Sequence, residues 1–403
     1  MSDLGQDEVV EGTIQTTELV KDIDVKEILE STKLNVATEE LLKIKPADLS
    51  GSNVDEKVKQ LYTEFSSFLE TSGEISPDSG IKNVIPTPID TLNAILGGGF
   101  ACGSMGVILG VPGGGKSCLA GQLVTSLQEK YPTALAAFLD SEEATTTLRL
   151  YNLGVRKPPL KPYNDITVEK VFKFLEGLCL FKEQKKIIDI PSLVIWDSIA
   201  NTLSEKEREA EDVNSVIGYK ARVLSILIPK YVAKLARFNI ALVAVNQLRD
   251  VIQIGNFTPP KDMKFMPTGK DMPGGNILKF NAFQMVYIRV KSAVDPKKLG
   301  FEGQIVEVKC IKNKLFMPNV PVEIVGNFVT GFNNFWTNYN FLVETKRLTS
   351  GAWNYLVTLP SKKFRTIDVE VIYKSDPIFK AAFDEAVKES IQKEIVEKNT
   401  TAI

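Results

Sequence analysis

The eight residues Gly110-Val-Pro-Gly-Gly-Gly-Lys-Ser117 combine four glycines with a lysine and a hydroxyl. Glycines leave backbone N–H groups free to turn inward onto phosphate oxygens. A lysine at this spacing reaches the β- and γ-phosphates of a nucleoside triphosphate, and the hydroxyl after it ligates Mg²⁺. The chemistry read here is ATP binding with Mg²⁺. Gly110, Pro112, Gly113, Gly114, Gly115, Lys116, Ser117 and Cys118 are the expected nucleotide contacts. Further on, LVIWDS sets four apolar residues before Asp197, as in a strand that delivers a carboxylate to the metal beside Ser117. Hydrolysis also needs a group that polarises water. FLDSEE offers Asp140, Glu142 and Glu143 just past another apolar run, where a carboxylate suits attack on the γ-phosphate. Spacing does not choose among the three.

The chain of 403 residues contains no histidine. This excludes Ser-His-Asp triads, histidine general bases and histidine metal ligands. Any chemistry rests on carboxylates, lysines, backbone amides and a hard metal. Cys102, Cys118, Cys179 and Cys310 are far apart and form no CxxC, which suits reduced thiols in a cytosol. No apolar run approaches the ~18 residues of a membrane span, and MSDLGQDEVVEG lacks the layout of a signal peptide. The net charge of −2 hides an asymmetry, because residues 1–80 hold 18 acids and only 7 bases. The main body is therefore mildly basic, which permits a polyanionic partner.

A phosphate-binding loop needs a strand before it and a helix after it. Apolar runs at 105–110, 134–140, 192–197, 240–247, 283–290 and 305–313 read as strands, with helices at 117–129, 166–182 and 215–237 between them. This alternation predicts an α/β fold, a P-loop ATPase core around a mostly parallel central sheet with helices on both faces. The core is expected over 81–335. Residues 1–80 form an acidic N-terminal helical region, part of which, within 54–80, is expected to pack on a neighbouring subunit. Residues 336–403 form a small C-terminal region ending in a helix.

FLDSEEATTTLRLYNLGV resembles the stretch of the RecA recombinases in which a strand ends in an aspartate, a small residue and the catalytic glutamate. AVNQLR is similar to the family strand ending in a glutamine that senses the γ-phosphate. GGNILKF is similar to the segment closing the second DNA-binding loop, and KCIKNKLFMP to a strand whose lysines reach the neighbouring subunit's nucleotide. GFNNFWTNYNFLVETKRLTSGAW resembles the end of the ATPase core. The match runs over about 85–356, with motifs in the family's order, and the overall character is that of phage recombinases of the UvsX kind. The resemblance implies a DNA-dependent ATPase that forms helical filaments on single-stranded DNA and exchanges strands with a homologous duplex. It assigns Glu142 as the catalytic carboxylate, Gln247 as the γ-phosphate switch, and Lys312 and Lys314 as charges supplied across a subunit interface. As i and i+2 on a strand, the two lysines are expected on one face. A RecA-fold ring helicase or motor, and a recombination mediator that does not hydrolyse ATP, are the alternatives.

Two positions depart from the family pattern. Arg149 stands where tyrosine usually meets adenine, and an arginine plane also stacks on a base. Pro229 stands where the family has a DNA-contacting arginine, and proline should kink that helix. Arg222 and Ser225 match phosphate-contacting positions. Two loops are expected at DNA, about 201–216 and 248–276. The first is rich in acids. The second, from Arg249 to Gly275, has four bases and three acids, so backbone amides and apolar groups outweigh bulk charge there. Arg249, Gly274, Gly275 and Asn276 are its candidate contacts, with Ile252, Ile254, Phe257, Phe265 or Met266 as groups that could wedge between bases.

Overall fold

Each central strand alternates its side chains between two cores. Ile108 on one strand, and Leu193 and Ile195 on another, enter one apolar cluster, while Val107, Leu109, Val194 and Trp196 enter a second on the opposite face. Strands buried on both faces read as continuous apolar runs, which is why they are legible in the sequence. The computed structural model describes residues 80–161, 165–212, 216, 218–250, 265–267 and 269–400. The helices expected within 1–80 lie outside the described residues, as does the contact proposed for 54–80.

The described chain begins with β1 (Val84–Ile85), α1 (Asp90–Leu96), β2 (Phe100–Ala101), β3 (Ser104–Gly110) and α2 (Lys116–Lys130). Then come β4 (Leu135–Asp140), α3 (Thr147–Asn152), α4 (Val168–Gln184), β5 (Ser192–Asp197), α5 (Glu205–Glu209), α6 (Tyr219–Arg237) and β6 (Ile240–Gln247). β7 (Arg249–Asp250) and β8 (Lys270–Asp271) pair at the stem of the second loop, followed by α7 (Asn276–Asn281) and β9 (Gln284–Ala293). The C-terminal part holds α8 (Pro296–Leu299), β10 (Gly303–Asn313), β11 (Pro321–Asn327), β12 (Gly331–Phe332), α9 (Asn334–Glu344), the hairpin β13 (Asn354–Leu356) and β14 (Leu359–Phe364), α10 (Val369–Ser375) and α11 (Pro377–Ile391).

The central sheet has eight strands in the order β12-β11-β10-β9-β3-β6-β5-β4. It is parallel from β4 to β9 and antiparallel from β9 to β12. The expected α/β core is present, and its sheet is mixed. α2 covers one face with Leu119, Leu123 and Leu127, whereas α4 and α6 cover the other. α6 buries Leu224, Ile228, Tyr231 and Leu235, one stripe at helical spacing. It runs on through Pro229, which lies on the exposed side. The helix is continuous on both sides of the proline. The residues beyond it, Tyr231 and Leu235, continue the buried apolar stripe. A third cluster, built on Trp336, Phe364, Phe379 and Phe383, joins the C-terminal elements to Val325 of β11.

One buried group away from the nucleotide loop carries a measurable signature. Lys182, fully buried at the end of α4, donates to the Ser192 hydroxyl (3.0 Å) and the Ile190 carbonyl. Burial lowers its pKa to about 8. Because the folded pKa lies below the unfolded value, the unfolded chain holds more protons above pH 8, and stability rises with pH. Burial raises the thiols of Cys102 and Cys179 to about 12 and about 11, so their contribution is lost as pH climbs beyond 9. Unfolding free energy should therefore increase by about 1 kcal/mol between pH 8 and 9 from Lys182. Lys116 and Lys220, also lowered by burial, add in the same direction. Lys182→Met should flatten this rise in denaturant titrations. An unchanged slope would show that Lys182 is not the titrating group.

Candidate functional site

The nucleotide loop leaves β3 at Gly110 and enters α2 at Lys116. Two of its glycines are obligatory for different reasons. A Cβ at Gly110 would lie 2.5 Å from the Ile288 carbonyl oxygen. Gly115 caps α2 with φ of 88°, and a Cβ there would lie 2.7 Å from the Phe332 ring. The edge strand β12 that carries Phe332 is fastened to α2. Gln122 Nε2 donates to the Phe332 carbonyl and Gln122 Oε1 accepts from its N–H, both at 2.9 Å. Gln304, at the start of β10, donates to the Gly113 carbonyl at 3.0 Å. Neither glutamine is signalled locally, since each is far in sequence from the atom that it holds.

These contacts frame a cavity of about 330 Å³ lined by Gly113, Gly115, Lys116, Ser117, Cys118, Glu142, Arg149 and Asp197, together with Asp140, Gln304 and Phe328. Of the other expected contacts, Gly110, Pro112 and Gly114 shape the loop without lining the cavity. Lys116 is buried and donates to the Val111 carbonyl at 2.8 Å. Burial lowers its pKa, while Asp197 and Glu142 oppose that shift. An anion entering the loop would offer this ammonium a better acceptor than one carbonyl.

Parallel register brings the carboxylates together. Asp140 and Asp197 are direct partners on β4 and β5, and Gly110 is the partner of Gln247 on β3 and β6. All four lie at the carboxyl ends of strands, where open α/β sheets bind ligands. The three acids of FLDSEE have different surroundings. Asp140 is spent on backbone, accepting from the N–H groups of Glu142 (3.1 Å) and Thr145 (2.8 Å). Glu142 lines the cavity, and its Oε1 accepts from the Ser198 hydroxyl at 3.1 Å and from the Asn201 amide. Glu143 sits at φ of 52° and does not line the cavity. Ser198 and Asn201 were not singled out from the sequence. Their position just after Asp197 was the available signal.

Asp197 is 4% exposed. Burial pushes its pKa up to about 6, helped by Glu142 and Asp140 and opposed by the Ser117 hydroxyl bonded to it and by Lys116. A folded pKa above the unfolded one means a stability contribution that is present at low pH and lost as pH rises through 6. At pH 7 the ionised carboxylate costs up to about 3 kcal/mol. In metal-free, nucleotide-free buffer, Asp197→Asn should therefore melt several degrees higher at pH 7, with the gain shrinking towards pH 5. A lower melting temperature at pH 7 would refute this account. The site residues fit a divalent ion beside a triphosphate. A hydroxyl and a desolvated carboxylate already touch, which is the oxygen donor set that Mg²⁺ uses with phosphates.

Arg149 donates through Nη1 to the carbonyls of Phe328 (2.9 Å) and Val329. Its edge is occupied by backbone and it lies at the cavity wall.

Several DNA-contact candidates converge around α6. Arg222 and Ser225 are exposed on it. Gly275, with φ of 77°, lies against it, as a Cβ there would sit 3.5 Å from Ala221. Gly274, with φ of 101°, would place a Cβ 3.2 Å from Leu224 and 3.3 Å from Ile199. Asn276 begins α7 and accepts from Lys279 at 2.9 Å. Arg249 is exposed at the stem of the second loop, where buried Asn246 donates to the Pro273 carbonyl at 2.8 Å. Ile252, Ile254 and Phe257 lie outside the described residues. Phe265 and Met266 pack on the second core cluster, which does not suit insertion between bases. The first loop is not irregular throughout. Ser204 and Glu207 form a capping box that starts α5.

Lys312 and Lys314 lie elsewhere. Asn313 pairs with Gln284, and Gln284 with Gly106. That end of β10 is four residues short of Gly110, roughly 13 Å along the strands. Lys312 donates to the carbonyls of Lys279 (2.6 Å) and Phe280 (2.8 Å), which close α7. Lys314 stands 5.6 Å over the Phe283 ring. Their shared strand face is a corrected expectation. β10 ends at Asn313, after an irregularity between Cys310 and Lys312, so contact with residues 279–283 groups the two lysines.

The RecA N-terminal domain family matches residues 71–333. Protein RecA of Thermus thermophilus is 31% identical over 254 residues, covering 62% of this chain and 68% of that protein. Protein RecA of Thermus aquaticus is 30% identical over 275 residues, covering 67% and 75%. Protein RecA of Syntrophobacter fumaroxidans is 28% identical over 311 residues, covering 74% and 84%. With the nucleotide loop, the paired strand-end carboxylates and the two loop stems arranged as above, the chain belongs to the RecA family.

Proposed function

We propose that this protein is an ATP-hydrolysing DNA recombinase that assembles on single-stranded DNA and pairs it with a homologous duplex. The observation that carries this reading is the division of the chemistry between the two ends of one sheet. The phosphate loop, Asp197 and Glu142 occupy the carboxyl end, while Lys312 and Lys314 sit at the other. A single protomer cannot bring these lysines to its own nucleotide, whereas head-to-tail assembly can.

In this reading the loop amides and Lys116 hold the triphosphate, and Ser117 and Asp197 hold Mg²⁺, which neutralises phosphate charge when bound. Glu142 takes the proton of the attacking water, and the neighbour's lysines stabilise the charge that develops on the γ-phosphoryl. Gln247, level with Gly110, reports the γ-phosphate to the loop that follows it. Arg149 offers its guanidinium plane to the base while its edge stays on the Phe328 and Val329 carbonyls. Arg222, Ser225, Arg249, Gly274, Gly275 and Asn276 form the DNA face. Among the described residues no helix is long and apolar enough to cross a membrane.

Phosphate release with and without single-stranded DNA, paired with a strand-exchange assay and electron microscopy, tests the reading. DNA-stimulated hydrolysis, helical filaments and exchanged strands are expected. Closed rings that unwind duplexes would favour a motor, and filaments without turnover would favour a mediator.

A further inference from the structure

We infer that Asn201 and Lys220 are positioning residues for Glu142, joining the first turn of α6 to the carboxylate at the nucleotide. This rests on the hydrolytic reading above and names residues that the family-level resemblance does not.

The connection is a chain of direct contacts. Lys220 stands in the first turn of α6, two residues before Arg222. Its Nζ donates to three carbonyls of the segment after β5, those of Ile199 (3.3 Å), Ala200 (3.1 Å) and Thr202 (3.0 Å). An ammonium has three N–H donors, so this half-buried group is saturated by that one segment. The same segment carries Asn201, whose amide donates to Glu142 Oε1, beside the Ser198 hydroxyl on the same oxygen. The segment is tied to the sheet as well, since the Ile199 N–H donates to the Val245 carbonyl at 3.0 Å. Five residues, 198–202, thus lie between an ammonium on the DNA-side helix and the carboxylate facing the cavity.

Its surroundings belong to the two loops. The Glu207 carboxylate of α5 and the Arg249 guanidinium at the second-loop stem both act on Lys220. Gly274 approaches Ile199 closely enough that an added Cβ would lie 3.3 Å from its side chain. The second loop's return therefore abuts the segment that Lys220 holds. Any shift of the α6 first turn or of Gly274 is carried to residues 199–202 and so to the hydrogen bonds that orient Oε1. Rigid contacts of this kind are the physical medium of coupling between sites.

The test measures steady-state ATP hydrolysis with and without single-stranded DNA, and direct binding of a fluorescent ATP analogue. It uses the full chain and the variants Asn201→Ala, Lys220→Met, Lys220→Arg and the Asn201→Ala/Lys220→Met pair. Each of Asn201→Ala and Lys220→Met should lower kcat about tenfold, less than the ~100-fold that a 1 Å misplacement can cost. The nucleotide Kd should stay within about twofold, because neither residue touches the phosphate loop. Lys220→Arg should recover most of the rate. The pair should lose about as much as one single change, since both act through one carboxylate. Single variants within about twofold of the wild-type kcat, or losses that multiply in the pair, overturn the proposal. If Lys220→Met fails to fold in a melting measurement, Asn201→Ala decides the matter by the same criterion. An active wild type with unaffected variants fails the positioning proposal alone. A wild type that releases no phosphate fails it together with the hydrolytic reading.

Discussion

An equal mixture of a Lys312→Ala/Lys314→Ala chain and a Glu142→Gln chain should hydrolyse ATP on single-stranded DNA far faster than either variant does alone. The lysines lie at the sheet end away from their own phosphate loop, with Lys312 fastened to the end of α7. In the proposed mechanism they act on a nucleotide that another protomer presents. Removing both should cost on the order of 10³-fold in DNA-stimulated turnover, the lower range for a cation supplied in trans to phosphoryl transfer. Mixing restores sites in which the lysine-deficient protomer supplies Glu142 and the Glu142→Gln protomer supplies the lysines. Random head-to-tail pairing makes about one site in four competent, so about a quarter of the wild-type rate should return. The double variant also gives up the Lys312 bonds to α7, a loss of about 1 kcal/mol that melting curves would register separately. Full activity of the lysine-deficient chain, or no recovery on mixing, would remove the trans assignment.

Glu142→Gln should lower kcat by about 10²- to 10⁴-fold, the usual worth of a general base, while ATP and DNA binding persist. Glutamine keeps an oxygen for the Ser198 hydroxyl and the Asn201 amide that now meet Oε1, so the local structure should hold. What disappears is the capacity to take a proton. Removing this charge also lifts one of the repulsions that raise Asp197, which favours ATP binding at the same site. The variant should therefore hold filaments in the nucleotide-bound state, readable as slow dissociation from DNA after ATP is diluted. Unchanged turnover would turn attention to Glu143, which now sits in a left-handed backbone conformation outside the cavity.

Both experiments depend on features that were legible to different degrees. The glycine-lysine-serine loop and the apolar strands ending at Gly110, Asp140, Asp197 and Gln247 could be read directly, and the structure has strands at 104–110, 135–140, 192–197 and 240–247. Their signals are short in range. Backbone torsions at glycine, burial on both faces and the residue at a strand tip are properties of neighbours in the chain. The likeness of later motifs to RecA proteins extended this to Lys312 and Lys314, but the two lysines do not share a strand face, because the strand stops between them. Pro229, where a kink is expected, lies inside one continuous helix whose buried stripe extends to both sides of it.

What the residues alone settled was the chemistry available: a triphosphate loop, carboxylates in place of histidine, and an ordered set of RecA-like motifs. Folding gave the three neighbouring acids different surroundings: Asp140 and Glu142 both line the cavity, yet Asp140 accepts from backbone N–H groups, Glu142 is held by Ser198 and Asn201, and Glu143 lies outside the lining. The same holds for Gln304 on Gly113 and for Lys220 on the segment after β5. In each case the partner is brought near by sheet register or helix packing. A hydrogen bond between residues far apart in the chain leaves no periodicity or local pattern by which either end can be read.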